Sequence, residues 1–279
     1  TVTKLDDEHF FVVASDTAHR HVLTRMKRAA EGKQAFIADV TGGYAQINIQ
    51  GPNSRALLQS ITTADLDNAA FPFRTAREID LGFARALCIR ITYLGELGYE
   101  LYIPAEMAGH AYERLTEAGR AFDMRHVGLK SLASLRMEKG YRDYGHDIDN
   151  TDSVLEAGLG FAVALDKPDF IGKSAVEAKK AEGPLTKRMI QIKLDDPEPM
   201  MFHAEIVSRN GTELGYTRAA SYGHALGAAV GLAMIEADQP ITQEFLDSGA
   251  WMVNIAGKSH SATASLKPMY DPTNSRIHS

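Results

Sequence analysis

The stretch REIDLGFARALCIRITYLGELGYELYIP, residues 77–104, decides the fold class. It reads as three successive strands, with apolar and β-branched runs separated by glycine turns. Its second half, ITYLGELGYELYIP (Ile91–Pro104), reads as two short strands broken at Gly95 and Gly98. That half also holds two acids, Glu96 and Glu100, among three tyrosines, Tyr93, Tyr99 and Tyr102. Strand alternation puts Tyr93 and Gly95 on one face before the glycine-rich turn resets the register. The glycines permit positive φ and close backbone approach. Glu100 enters the apolar strand ELYIP and is expected to be more enclosed than Glu96, which reads as a turn residue. A carboxylate set between aromatic rings suits a planar ligand with adjacent ring N–H and NH₂ donors, which it meets in a bidentate way. The alternative for Glu100 is a half-exposed strand acid.

Upstream, TVTKL and HFFVVA read as paired strands with the polar turn DDE between them. A chain that opens inside a sheet is expected to be a fragment of something longer. DTAHRHVLTRMKRAAEG (16–32) has a capping aspartate, helical spacing and a terminal glycine. FIADVT and AQINIQ, separated by Gly42-Gly43, suggest a hairpin. GPNSRALLQSIT places Pro52 in a first helical turn and stripes Ala56, Leu57 and Ile61 on one face. Helices are predicted over Glu106–Gly119 and Val127–Gly140. Strands and helices in this order give an α+β class.

Beyond Pro184 the texture changes to short strand-like runs with the hairpin turns RNG and AGKS. A domain boundary is therefore expected near Pro184, with residues 186–279 forming a separate small antiparallel barrel or sandwich.

The chain has 279 residues, 44% hydrophobic and 24% charged, with net charge −6 and an isoelectric point near 5.9. Acidity with scattered lysines and arginines gives no electrostatic footprint for nucleic acid or an anionic membrane. No apolar run approaches the ~20 residues of a membrane span. The one cysteine, Cys88, excludes an internal disulfide and reads as a small buried hydrophobe. No metal site is expected: His19 and His21, the closest pair, lie about 200° apart on a helix. No G-x-S-x-G, P-loop, HExxH or G-x-G-x-x-G occurs.

Two other segments look like sites. SLRMEKGYRDYGHDIDN ends a helix at Gly140 and continues into a loop with Arg142, Tyr144, Asp147 and Asp149. Its acids lack the offsets of a calcium loop. GYTRAASYGHALG carries Tyr222 and Gly223 on a predicted loop that could close over a neighbouring site.

The blocks YLGELGYELYIP, SLRMEKGYRDYGHDI, EAGLGFAVALDKPDFIGKSA, GYTRAASYGHALG and LKPMYDPTNSRI occur together, in order. In this the chain resembles the folate-binding aminomethyltransferase-like region of dimethylglycine oxidases and of dimethylglycine and sarcosine dehydrogenases. It is more distantly similar to the glycine cleavage T-protein. The ending YDPxxxR resembles the oxidase and dehydrogenase branch.

The resemblance implies two interlocked α+β lobes over residues 1–185 and an antiparallel β-barrel over 186–279, arranged as a three-lobed ring around a channel for tetrahydrofolate. It implies that Glu100 binds the pterin's N–H and amino groups and that Tyr93 lines the folate. Thr1, Val13 and Ala14 would lie near the pterin, and Arg142 and Tyr222 at the rim. It implies FAD on an upstream module of the same polypeptide. The reaction it implies is demethylation of an N-methyl amine, with the one-carbon unit captured as 5,10-methylenetetrahydrofolate. A stand-alone folate-dependent aminomethyl- or methyltransferase and a non-catalytic regulatory module are the alternatives. A cytoplasmic setting is expected, or the mitochondrial matrix if eukaryotic.

Two departures accompany the resemblance. The family's assisting aspartate lies in a block resembling SDITV, and TVTKL matches only its end, so the aspartate is expected upstream of Thr1. The resemblance therefore points to no catalytic residue among residues 1–279. Where T-proteins carry an arginine that helps bind the folate tail, on the second of the helices predicted above (Val127–Gly140), this chain has Leu132.

Overall fold

The computed structural model describes residues 1–279. The chain divides into two compact units, Thr1–Val127 with Asn274–Ser279, and Gly128–Thr273.

The first unit opens with a hairpin of β1 (Val2–Lys4) and β2 (Phe10–Val12), as its sequence predicts. The chain then forms α1 (His19–Ala30), β3 (Tyr44–Gln50), α2 (Ser54–Gln59), β4 (Ala76–Leu81), β5 (Ala84–Ile89), β6 (Gly98–Pro104) and α3 (Ala108–Gly119). Strands β3, β6, β5 and β4 make an antiparallel sheet in that order. Alternation along β6 sends Tyr99, Leu101 and Ile103 to one face. There they join Ile49, Ile79, Cys88, Leu57, Leu58 and Leu115 in the core, against α2 and α3. Burial also pushes the Cys88 thiol pKa well up, so it stays a protonated hydrophobe.

Four sequence expectations fail in this unit. Asp16 does not cap α1, whose N-cap is Ala18 with no side-chain cap, and Pro52 lies before α2, which starts only at Ser54 after its N-cap Asn53. FIADVT forms no strand, and Phe36 is 94% exposed. The partner of β3 is β6, so the local glycine pair loses to a long-range ladder. Ile91–Leu97 is a bend rather than a strand, so alternation does not govern Tyr93 and Gly95. Gly95 takes φ 79°, a left-handed conformation that suits glycine.

In the second unit α4 (Leu129–Glu138) and α5 (Lys173–Ala181) precede the barrel strands β7 (Lys187–Leu194), β8 (Ile206–Arg209), β9 (Thr212–Gly223) and β10 (Ala228–Glu236). Helix α6 (Gln243–Asp247) and strands β11 (Trp251–Ile255) and β12 (Lys258–Ser265) follow. The six strands close in the order β10-β7-β12-β11-β8-β9, all antiparallel, which leaves no free edge. The predicted RNG and AGKS turns are present, with Asn210-Gly211 and Ala256-Gly257 all at positive φ. Thr242 caps α6 by accepting from Phe245 N–H, and Phe245 and Leu246 fill the barrel core. No helix is long and apolar enough to cross a membrane.

Barrel closure brings the backbones of β9 and β10 together at Gly215. A Cβ there would lie 2.0 Å from the Met234 carbonyl oxygen. Gly215→Ala is therefore expected to lower the urea midpoint, by the equivalent of about 1–3 kcal/mol, without changing the slope of the transition.

Candidate functional site

The second face of the β3–β6–β5–β4 sheet carries the polar groups. Cross-strand register places Glu100 opposite Asn48 and Tyr102 opposite Gln46. Residues two apart on a strand share a face, so Glu100 and Tyr102 are neighbours. The Tyr102 hydroxyl donates to Glu100 Oε2 at 2.6 Å. Glu100 is half-buried, and its Oε1 has no protein partner. Asn48 and Gln46 are exposed beside it.

The hairpin covers the Tyr102 end of this face. Phe11 meets Tyr102 edge-on at 4.9 Å between ring centroids, and Tyr44 at 5.6 Å. Tyr102 is left 4% exposed. Burial, reinforced by the hydrogen bond and by the nearby carboxylate, raises the Tyr102 pKa far above its ordinary value. The phenol therefore stays a donor and fixes one oxygen of Glu100. Thr1 and Val13 bond each other through both backbone groups, at 2.8 and 2.9 Å. They continue the hairpin ladder on the face that carries Phe11.

The other residues of the opening stretch fall differently. Tyr93 is half-buried in the bend before β6. Glu96 lies within 3.9 Å of Arg276, so the YxGExGxE block and the YDPxxxR ending meet through an acid that the sequence reads as turn chemistry.

In the second unit, the charged end of α4 is buried. Arg136 forms a two-pronged ion pair with Asp147. Glu138 Oε1 accepts from Ala225 N–H at 2.6 Å and Leu226 N–H at 3.0 Å. Lys139 Nζ donates to the Asp271 carbonyl oxygen at 2.5 Å. Gln191 of β7 caps the helix, donating to the Met137 and Glu138 carbonyls at 2.7 and 3.0 Å.

Arg142 donates to the main-chain carbonyls of Ala157, at 3.0 Å, and Gly140. Burial lowers its pKa, while Asp147 acts in the opposite sense. Tyr222 lies on β9 rather than on a loop, because the ladder with β10 continues through Gly223. Its hydroxyl donates to the Gly227 carbonyl at 3.1 Å, and its own carbonyl accepts from Ser134 Oγ at 2.5 Å.

Sequence reasoning missed Tyr102 and Phe11. The two-residue spacing from Glu100 could have flagged Tyr102. Nothing local signals Phe11, whose contacts arise from the hairpin's placement.

Residues 1–167 match the GCVT N-terminal domain, and residues 187–271 the glycine cleavage T-protein C-terminal barrel domain. The chain belongs to the glycine cleavage T-protein family. It is 37% identical over 278 residues, 99% of its own length, to 4-methylaminobutanoate oxidase (formaldehyde-forming) of Paenarthrobacter nicotinovorans. It is 35% identical over 247 residues, 88% of its length, to human mitochondrial sarcosine dehydrogenase. These matches cover 33% and 27% of the two relatives, so the chain spans about a third or less of their length. The glycine cleavage aminomethyltransferase T of Bartonella henselae has the same fold, with TM-score 0.79 at 22% identity over 95% of this chain and 69% of that one.

The T-protein family binds tetrahydrofolate. The residues present fit that ligand's pterin edge: a half-buried carboxylate with one oxygen held and the other unengaged, beside an aromatic cluster.

Tyr102 is expected to be the last tyrosine to ionise in an ultraviolet titration, and Glu100→Gln to bring its ionisation to lower pH. A raised phenol pKa contributes stability in full below pH about 10 and loses it as pH climbs toward the folded value. Wild type should therefore lose more stability above that pH than Tyr102→Phe. Asp147→Ala strands the buried Arg136 charge and should cost about 3–5 kcal/mol in denaturant unfolding.

Proposed function

We propose that this chain is the tetrahydrofolate-binding part of an FAD-linked enzyme that demethylates N-methyl amines such as dimethylglycine or sarcosine. The observation that carries the proposal is Glu100, oriented by Tyr102 and with Oε1 unengaged. Support comes also from two relatives named for N-methyl amine substrates, each about three times as long as this chain. Bound tetrahydrofolate would supply the two amine nitrogens that together take up the one-carbon unit as a methylene bridge, giving 5,10-methylenetetrahydrofolate. The flavin would belong to an upstream module of the same polypeptide.

In this reading Glu100 accepts the adjacent N–H and NH₂ donors of the pterin in a bidentate way. Tyr102 holds the carboxylate in register. Tyr93, Thr1 and Val13 line the folate, and Arg142 and Tyr222 stand at its rim. Residues 1–185 form the folate-binding region and 186–279 the barrel domain. The protein's contribution is positioning and exclusion of water, because a hydrated one-carbon unit is lost as formaldehyde.

A second reading is favoured by the relative named as formaldehyde-forming. In that reading this chain's one-carbon unit would leave as formaldehyde, with folate not its acceptor.

Calorimetric titration of the intact protein with tetrahydrofolate tests the first reading. Losing a charge-assisted pair costs about 1.5–3 kcal/mol, so Glu100→Gln should weaken binding roughly 10- to 100-fold with an unchanged melting curve. Equal affinities would remove Glu100 as the clamp. Formaldehyde yield independent of added tetrahydrofolate would select the second reading, and wild-type protein that binds no folate would point to a regulatory module.

A further inference from the structure

The first unit contains a pocket of about 370 Å³ away from the Glu100 face, lined by Asn68, Pro72, Phe73, Arg74, Arg90 and His278. Two of its lining residues are arginines, one is a histidine, and none is acidic. We propose that this pocket is a second binding site, for a small oxyanion: a carboxylate- or phosphate-bearing metabolite.

The argument starts from Arg90. It directly follows β5 and is 1% exposed, among the largest fully buried side chains of the protein. One terminal nitrogen donates to the Phe71 carbonyl at 2.8 Å. Its Nε has no partner, and no carboxylate is ion-paired with it. A buried guanidinium with an orphaned N–H and no counter-ion is costly. Arg90 lines the pocket, and an oxyanion there would supply the missing counter-charge.

The surroundings suit such a ligand. Arg74 N–H donates to the Arg90 carbonyl at 2.8 Å, and Arg90 N–H to the Thr75 carbonyl at 3.0 Å, so the two arginines are linked through backbone beyond the β4–β5 ladder. The Arg74 side chain is exposed and lies 6.0 Å from the Phe73 ring centroid. His278 meets the same ring edge-on at 5.2 Å. Asn68 anchors the His278 carbonyl at 3.1 Å and accepts from Arg55 at 2.7 Å, which pins the tail at the pocket. Phe73 and Pro72 give an apolar wall, so an organic anion gains contacts that a bare ion does not.

The test is nuclear magnetic resonance of the arginine Nε–H groups in the intact protein, titrated with inorganic phosphate and, separately, with glutarate. Sodium chloride at matched ionic strength is the control. A saturable shift of the Arg90 resonance is expected with at least one anion and not with chloride. Phosphate alone would assign a phosphate ligand, and glutarate alone a carboxylate; either supports the site. Arg74→Asn removes an exposed cation while keeping a residue that tolerates the left-handed backbone at φ 65°. It should weaken the anion about tenfold or more, as for loss of one charge-assisted bond. His278→Ala should weaken it less, without unfolding the unit. Glu100→Gln should leave it unchanged, which separates this site from the folate reading. No saturable Arg90 shift with either anion, a chloride response equal to theirs, or unchanged affinity in Arg74→Asn would overturn the proposal.

Discussion

The register of β6 is the constraint on which both the core and the candidate site of the first unit depend. Tyr99, Leu101 and Ile103 must point at α2 and α3, and Glu100 and Tyr102 must then point the other way. A slip of one residue would bury a carboxylate and expose three large apolar groups. The same alternation that builds the core thus delivers the acid to the open face. The bend at Ile91–Leu97 gives the strand its starting point, and β3 and β5 lock the register on either side.

In the second unit the equivalent constraint is electrostatic. Arg136, Glu138 and Lys139 leave one helix end in different directions, and each finds its partner in a different segment: the loop at Asp147, the β9–β10 hairpin, and the tail at Asp271. Removing any one partner strands a buried charge, which costs more than the pair gains. These contacts fix loop positions that hydrophobic burial alone would leave free. They also account for the charged sequence RMEK inside an otherwise apolar helix pattern.

Much of the fold could be read from local pattern. The β4, β5 and β6 strands, the helices α3 and α4, and the barrel hairpins at Asn210-Gly211 and Ala256-Gly257 follow from periodicity and turn chemistry. FIADVT forms no strand because β3 finds a better partner in β6, 48 residues away at Gln50–Gly98 and farther along the rest of the ladder. The segment around Tyr222, rich in glycine, alanine and serine, suggests a loop, whereas its ladder with β10 is set by the barrel. Of the site, Glu100 was legible as an acid in an apolar strand. Its orienting donor was missed although it stands two residues away.

By itself the sequence determined the strand periodicities, the turn positions, the lone buried cysteine and the order of the family blocks, because these rest on local stereochemistry and residue type. Only the tertiary structure decided which aromatic ring covers Tyr102, which side chain pairs with Glu96, and that Arg90 is buried without a counter-ion. Those outcomes depend on which distant segments meet. Spacing along the chain carries no direct record of that, whereas the burial and pairing of each charge do.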